Sequence, residues 1–357
     1  MTRRSIEQTM CLGTSRGLRG PSAAACLCLG VLAASVQAEI LNVPSEYPTI
    51  QSAIDAAGNG DVISISSGTY LLEKTDDLKM ENVAVSIIGE KNADGGPAVT
   101  IDGQSNGSTT FQIIDAGKQL VTISNLRIRN CVGGLLVVNS RANVSNCSFE
   151  ENYGYYGSVI FSQAQVTMTN CEIVDNLGEF AGGLSVIDQP DTQPVSNITL
   201  TDSLIKGNIG AASFTGIGGI NLFDGNVTLD GCTVRDNLGS YAGGLRVSSL
   251  ATAVLLDTTI CGNQSLGGLD IDQAYGEWFD VGGNFVGQEC SDACPADLNQ
   301  DGQIDGVDLG LLLAAWSVDC DGTQPECFEA DLNGDGRVNG QDLGLFLAAW
   351  GNDCNFD

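Results

Sequence analysis

Apolar and polar residues alternate from Val227 to Asn237, with Val227, Leu229, Cys232 and Val234 on one side and Thr228, Asp230 and Arg235 on the other. A short loop then leads to Gly243, Gly244 and Leu245. The same succession recurs from Val166 to Asn176 with Gly182 and Gly183, from Ile198 to Asn208 with Gly218 and Gly219, and from Val254 to Asn263 with Gly267 and Gly268. A looser copy runs from Asn143 to Asn152. Alternation with a period of two predicts strands whose apolar residues point inward. The closing Asn falls at 152, 176, 208, 237 and 263, so the steps are 24, 32, 29 and 26 residues. A fixed local pattern with variable steps means constant strands and variable loops, one turn of chain per repeat. Asn tolerates left-handed backbone, and its amide can bond the Asn of the next turn, so a ladder is expected at a sharp bend. The Gly pair suits a second bend, where a Cβ would obstruct the backbone. The spacing predicts a parallel β-helix. A β-sandwich or propeller is the competing architecture, and ordinary antiparallel hairpins would show no shared Asn column.

Residues 1–38 read as a secretory signal peptide: Arg3, Arg4, Arg16 and Arg19 precede an apolar run from Ala23 to Val36, and a small-residue cleavage pattern ends at Ala38. That run is short for a membrane span, so no transmembrane span is expected in the mature chain. The protein is expected to be secreted or held at the cell surface. Next, Ile50, Ala53, Ile54 and Ala57 have helical spacing, residues 58–61 end the helix, and residues 62–65 read as a strand. A helix here would cover the open end of a solenoid. The stretch Thr49 to Ala57, followed by Gly60 to Ile63 and Gly68 to Tyr70, resembles the opening of the pectin-lyase-like right-handed parallel β-helix superfamily. With the repeats, the resemblance covers about residues 40–289. It implies the fold; the superfamily's activities range over lyases, hydrolases, esterases and epimerases, and many members have no known chemistry.

The superfamily's catalytic signatures can be tested one at a time. The Gly-His-Gly of polygalacturonases is excluded, because the chain has no histidine. The sequence also lacks the Gln-Asp-Thr-Leu of pectin methylesterases, the Arg-x-Pro-x-x-Arg of pectate lyases and the Tyr-Gly-x-Asp-Pro-His of alginate epimerases. Without His the usual acid/base near neutral pH is gone. Two carboxylates could still act as acid and base, and Glu150, Glu151, Asp175, Glu179 and Asp236 are the candidates on turns, though no spacing pairs them. A different column recurs beside the repeat Asn. Tyr156, Phe180 and Tyr241 each follow it by four residues, and Phe214 sits in the corresponding longer loop. Such a column either binds sugar rings on aromatic faces or seals one loop face of the solenoid.

Charge narrows the partners. The chain carries 44 acidic and 15 basic residues. Without the leader, 43 acids face 11 bases, for a net charge near −32. Such a surface repels nucleic acid and anionic membranes. Ten of the 13 cysteines lie beyond the leader, where export permits disulfides. Cys147, Cys171 and Cys232 share one repeat position with Leu126, Ser203 and Thr258. A column that accepts all four residue types reads as small inward side chains, hence buried unpaired thiols. The pattern fades from Trp278 to Cys290, the expected last turn and cap, which a Cys261–Cys290 bridge could tie down.

The C-terminal residues carry two 12-residue loops in the pattern of calcium sites. Asp297, Asn299, Asp301, Gln303, Asp305 and Asp308 occupy ligand positions 1, 3, 5, 7, 9 and 12 of the first. Asp331, Asn333, Asp335, Arg337, Asn339 and Asp342 do so in the second, 34 residues later. Position 7 supplies a backbone carbonyl, and Gly302 and Gly336 make the sharp turn at position 6. Two Ca2+ ions are therefore expected. Each loop opens a short helix, 308–316 and 342–350, with Leu309, Leu312, Leu313 and Trp316 as one apolar face and Leu343, Phe346, Leu347 and Trp350 as the other. Loop–helix twice, with Asp at position 12, resembles a type I dockerin over about residues 295–352, which implies calcium binding and a cohesin-like or other surface protein as partner. Loop positions 10 and 11, which help dockerins choose their partner, are Gly306 and Val307, then Gly340 and Gln341, and depart from the common Ser or Thr. If the two helices are antiparallel, Cys294–Cys354 and Cys320–Cys327 would pair; bridges within a repeat would span about 13 Å of helix.

The expected organisation is a signal peptide (1–38), a β-helix domain (39–289) and a dockerin-like calcium module (290–357). Two functions follow. One is a non-catalytic exported protein that binds carbohydrate or a surface and is attached through its calcium module. The other is a polysaccharide lyase or glycoside hydrolase carried into a complex; the missing catalytic signatures favour the first.

Overall fold

The computed structural model describes residues 38–73, 77–105, 107, 111–188, 194–212, 215–267, 273–288, 290, 296–299, 303–316, 330–333 and 336–351. The leader up to residue 37, Phe214, Asp301, Gly302, Asp335 and the four cysteines 294, 320, 327 and 354 lie outside them.

Each of the five turns from Arg141 to Tyr275 contributes one strand to each of four sheets, and the outer turns contribute to fewer. The turn that begins at Gln165–Thr169 continues through Glu172–Val174, the two-residue strand Leu177–Gly178 and Leu184–Val186 before Asn197–Thr201 starts the next. The strands stack into sheets of ten, nine, eight and five, and all the strand pairings are parallel. The chain is therefore a parallel β-helix, as the repeats predict. The interior is one continuous apolar cluster in which Val227, Leu229, Cys232 and Val234 are buried as the alternation requires. At the start, α1 (Ile50–Ala56) opens on a capping box formed by Thr49 and Ser52 and buries Ile50, Ala53 and Ile54. It packs on the first strands of the stack. At the other end, Phe279–Gly282 and Phe285–Gly287 form the last turn, tied by the Cys261–Cys290 disulfide. No helix among the described residues is long and apolar enough to cross a membrane.

The Asn column is a ladder, but its backbone differs from the expectation. Asn152, Asn176, Asn208, Asn237 and Asn263 are all buried. The Oδ1 of each from Asn176 onward accepts the backbone N–H of the Asn before it, at 2.9–3.0 Å. Each Nδ2 donates back to a strand carbonyl of the preceding turn, and Gln273 ends the ladder. None of these Asn is left-handed; the residue before each takes that conformation, namely Glu151, Asp175, Gly207, Asp236 and Gly262. The reason is geometric. The amide must enter the core to reach two turns, so the reversal of the chain happens one residue earlier. A second left-handed column, absent from the sequence reading, stands at the other bend and runs through Asn125, Asn146, Asn170, Asp202, Gly231, Asp257 and Gly283.

In the three turns from Asp202 to Gly262, each turn carries one Asp and one Gly at these two bends, and the order inverts from turn to turn. The cause is contact between turns. A Cβ at position 207 would lie 2.1 Å from Asp175 Oδ1, and one at position 262 would lie 2.7 Å from Asp236 Oδ1. The carboxylate of one turn fills the space a side chain would need in the next. Gly219 in the Gly pair is fixed differently: its Cβ would meet the Gly244 carbonyl at 2.5 Å. The close approach of successive backbones excludes any side chain there.

Cys147, Cys171 and Cys232 are buried and form no disulfide. Burial pushes the Cys171 and Cys232 thiols up to about 11 and Cys147 higher still. Since the thiolate is the nucleophile, iodoacetamide at pH 8 should leave these three unlabelled in the native protein and label all three in urea. Peptide mass spectrometry reads this directly, and labelling of Cys171 in the native state would contradict the packing.

Candidate functional site

Beside the Asn ladder, the chain emerges from the core into the two-residue strands and then into loops that carry the aromatic column. Tyr155 and Tyr156 are about half exposed, and Tyr156 stacks on Phe180 of the next turn at 5.5 Å between ring centroids. Tyr155 meets both rings edge-on, at 4.9 and 5.0 Å. Two turns beyond Phe180, Tyr241 meets Tyr275 at 5.2 Å, over a small buried cluster of Ala181, Ile217 and Ala242. The rings therefore pack on one another and still show open faces to solvent, so sealing and display are combined. Tyr153, also exposed, donates its hydroxyl to Glu179 at 3.3 Å. The Glu179 charge holds the Tyr153 hydroxyl above the usual phenol range, and a hydrogen bond with Tyr275 does the same for Tyr241.

Four of the five candidate acids have other side-chain occupations. Glu150 pairs with Arg127 at 3.4 Å and accepts from Ser148, and Asp236 pairs with Arg235 at 3.5 Å. Asp175 fills the space over Gly207. Glu151 turns the chain with φ at 53°, and Glu179 holds Tyr153. An open depression of about 600 Å³ lies near the last turn, lined by Arg235, Asp236, Gly262, Asn263, Gln264, Gln288 and Cys290. Among the described residues its one carboxylate is Asp236, already paired with Arg235.

In the C-terminal segment, α2 (Gly306–Ala314) and α3 (Gly340–Ala349) begin at the ninth loop position, where Asp305 and Asn339 act as N-caps. Position 12 is then the third helical residue and closes a capping box. Asp308 and Asp342 are consequently fully buried. The Asp308 carboxylate accepts the backbone N–H groups of Asn299 and Asp305 at 3.0 and 2.9 Å; Asp342 accepts those of Asn333 and Asn339 at 3.2 and 2.7 Å. Gly336 N donates to Asp331 at 2.8 Å, which bends the second loop inward at position 6. Gly351 N, just past α3, donates to the Ile304 carbonyl in the first loop, which sets that helix end beside the other repeat's loop. The expected apolar faces are corrected in part. Leu312 and Phe346 are buried, but Leu313, Trp316, Leu347 and Trp350 are exposed. Ala315, Ile304, Val338, Ala296 and Ala330 fill the small core instead.

Residues 61–237 match the family described as right handed beta helix region, and residues 295–346 match the dockerin type I domain. No curated protein matches the chain. Among solved structures, ORF18 of Geobacillus virus E2 is 13% identical, with 70% of this chain and 60% of that one covered and a TM-score of 0.36. The chain thus spans less than two thirds of that protein. Pectate lyase Pel9A is 11% identical (70% and 79% covered, TM-score 0.25), and an alginate lyase from Paenibacillus sp. str. FPU-7 is 13% identical (70% and 98%, TM-score 0.24). Likenesses this distant carry no argument about chemistry. The two family matches, with the stacked parallel sheets, identify the chain as a right-handed parallel β-helix followed by a type I dockerin domain.

Proposed function

We propose that this is an exported, non-catalytic protein whose β-helix (39–289) presents a carbohydrate-binding edge and whose calcium module (290–357) attaches it to a cohesin-like or other surface protein. The observation that carries this reading is the mutually packed aromatic column of exposed Tyr155 and Tyr156 with half-buried Phe180, in a solenoid where Glu150 and Asp236 pair with arginines and Glu179 holds Tyr153. Pyranose rings stack well on such faces. For calcium, the donor set is all oxygen, as a hard cation requires. Each loop also buries its twelfth-position carboxylate, Asp308 or Asp342, completely, and a buried carboxylate calls for a compensating charge. Asp297, Asn299, Asp301, Asp305 and Asp308 with the Gln303 carbonyl would hold one ion. Asp331, Asn333, Asp335, Asn339 and Asp342 with the Arg337 carbonyl would hold the other. The ions would supply structural charge, not reaction chemistry. Exposed Val307, Leu311, Leu345 and Leu347 on the two helices offer the apolar contact a protein partner would cover.

The test is a panel of polysaccharides incubated with the purified protein. Retention on one or more of them, with no new reducing ends and no unsaturated uronides, is the expected result. Release of either product would instead support the lyase or hydrolase reading.

A further inference from the structure

Between each buried ladder Asn and the buried Gly that follows it in most turns lies one residue whose side chain faces outward. In consecutive turns these residues are Val132, Tyr153, Leu177, Ile209 and Leu238, aligned as direct partners across parallel pairings, with Gln264 ending the row. Val132, Tyr153, Leu177 and Ile209 are each about two-fifths exposed, and Leu238 is half-buried. A run of stacked apolar side chains on the outside of a chain with net charge −29 has no packing purpose. The row borders the aromatic column. Backbone bonds continue across both, from Glu179 N to Gly154 O at 3.1 Å, Phe180 N to Tyr155 O at 2.9 Å and Ala211 N to Gly178 O at 2.7 Å. The combined strip is therefore rigid, with an identical step from turn to turn.

We infer that this strip holds an extended, uncharged polysaccharide chain lying parallel to the solenoid axis, with one sugar per turn; the inference rests on the carbohydrate reading above. Three observations select that occupant. First, the step between strands is ~4.8 Å, close to the advance of one pyranose in an extended chain, so each sugar meets an equivalent rung through its apolar C–H face. Second, residues 152–157, 176–183, 208–219 and 237–244 contain no Lys or Arg, while Glu179 places a carboxylate beside Tyr153. A polyuronate would find repulsion at the Tyr153 and Leu177 rungs, with no Lys or Arg in these four stretches to offset it. Third, five rungs make a strip of only about 20 by 10 Å, far below the ~800 Å² per partner of a standard protein interface. A second copy of the chain would bury too little on it.

Titration calorimetry of the full chain with neutral β-linked hexasaccharides (of glucose, xylose and mannose) and with hexagalacturonate tests this. At least one neutral hexasaccharide should bind, and hexagalacturonate should not. Leu177→Asp with Ile209→Asp should weaken the neutral ligand at least tenfold, and Leu177→Ser with Ile209→Ser should weaken it less, both with unchanged circular dichroism. Tighter binding of hexagalacturonate would overturn the inference and leave the carbohydrate reading standing. Retained affinity in both double variants, with loss in Tyr155→Ala, would remove the apolar row from the site. Failure of every sugar would sink the carbohydrate reading itself. A dimer in sedimentation equilibrium that Leu177→Asp abolishes would replace the glycan with a second copy.

Discussion

Asn208→Ala should lower stability by about 2–4 kcal/mol, the effect expected of a ladder residue bonded to a neighbour on both sides. The amide of Asn208 accepts from the backbone N–H and Nδ2 of Asn176, and it donates to the Ile173 carbonyl and to Asn237 Oδ1. All of these groups are buried with it. Alanine would orphan the Asn176 N–H and take a second donor from the Ile173 carbonyl, and a buried unsatisfied polar group costs about 1–3 kcal/mol. The cavity left by the amide adds to that. Stacked repeats couple through their neighbours, so the turn holding Asn208 should open before the rest. Urea denaturation measures the total, and hydrogen exchange of residues 173–208 locates it. The reference substitution is Asn197→Ala on the exposed face of the same turn, which should change stability by less than about 0.5 kcal/mol. Equal midpoints for the two variants would mean that the ladder contributes nothing.

Calcium removal should have the second large effect, confined to the C-terminal module. With chelator, Asp308 and Asp342 would stay buried with pairs of backbone N–H groups as their partners among the described residues. Binding of an ion at a hundred times its dissociation constant stabilises by about 2.7 kcal/mol per site, a large share of what a core of seven buried side chains can hold. The helical signal of α2 and α3 should therefore melt in chelator while the solenoid transition stays in place. Asp308→Ala should cut the calcium stoichiometry from two to one. It also leaves the Asn299 and Asp305 N–H groups unpaired, for a further loss of about 2–4 kcal/mol. An unchanged two-ion titration in this variant would show that position 12 is not a ligand.

Much of this architecture is legible in the sequence because solenoid physics repeats itself in register. A shared Asn at the close of the same alternating stretch survives loops of different length, and the ladder at 152, 176, 208, 237 and 263 follows from that. The Cys column is readable for the same reason, since Leu126, Ser203 and Thr258 define the size of its site. Other features depend on which way a side chain turns at a bend, and spacing does not encode that. The left-handed residue precedes the ladder Asn because the amide is drawn into the core. Leu177 and Ile209 read as ordinary apolar positions, yet the reversal just before them points them outward. In the C-terminal helices, Leu313 and Trp316 share a helical face with Leu309 by count alone. The core is too small to take them once Ala315 and the loop residues Ile304 and Val338 are in place.

The inversion of Asp and Gly at the two bends gives the solenoid a parity. Excising the single turn that contains Gly207 would bring Asp175 against Asp236, carboxylate on carboxylate, where a hydrogen atom now stands. Excising two adjacent turns would restore an acid beneath a glycine. Within the three alternating turns from Asp202 to Gly262, lengthening or shortening the molecule, by unequal recombination or by design, should therefore cost less in even steps than in odd ones.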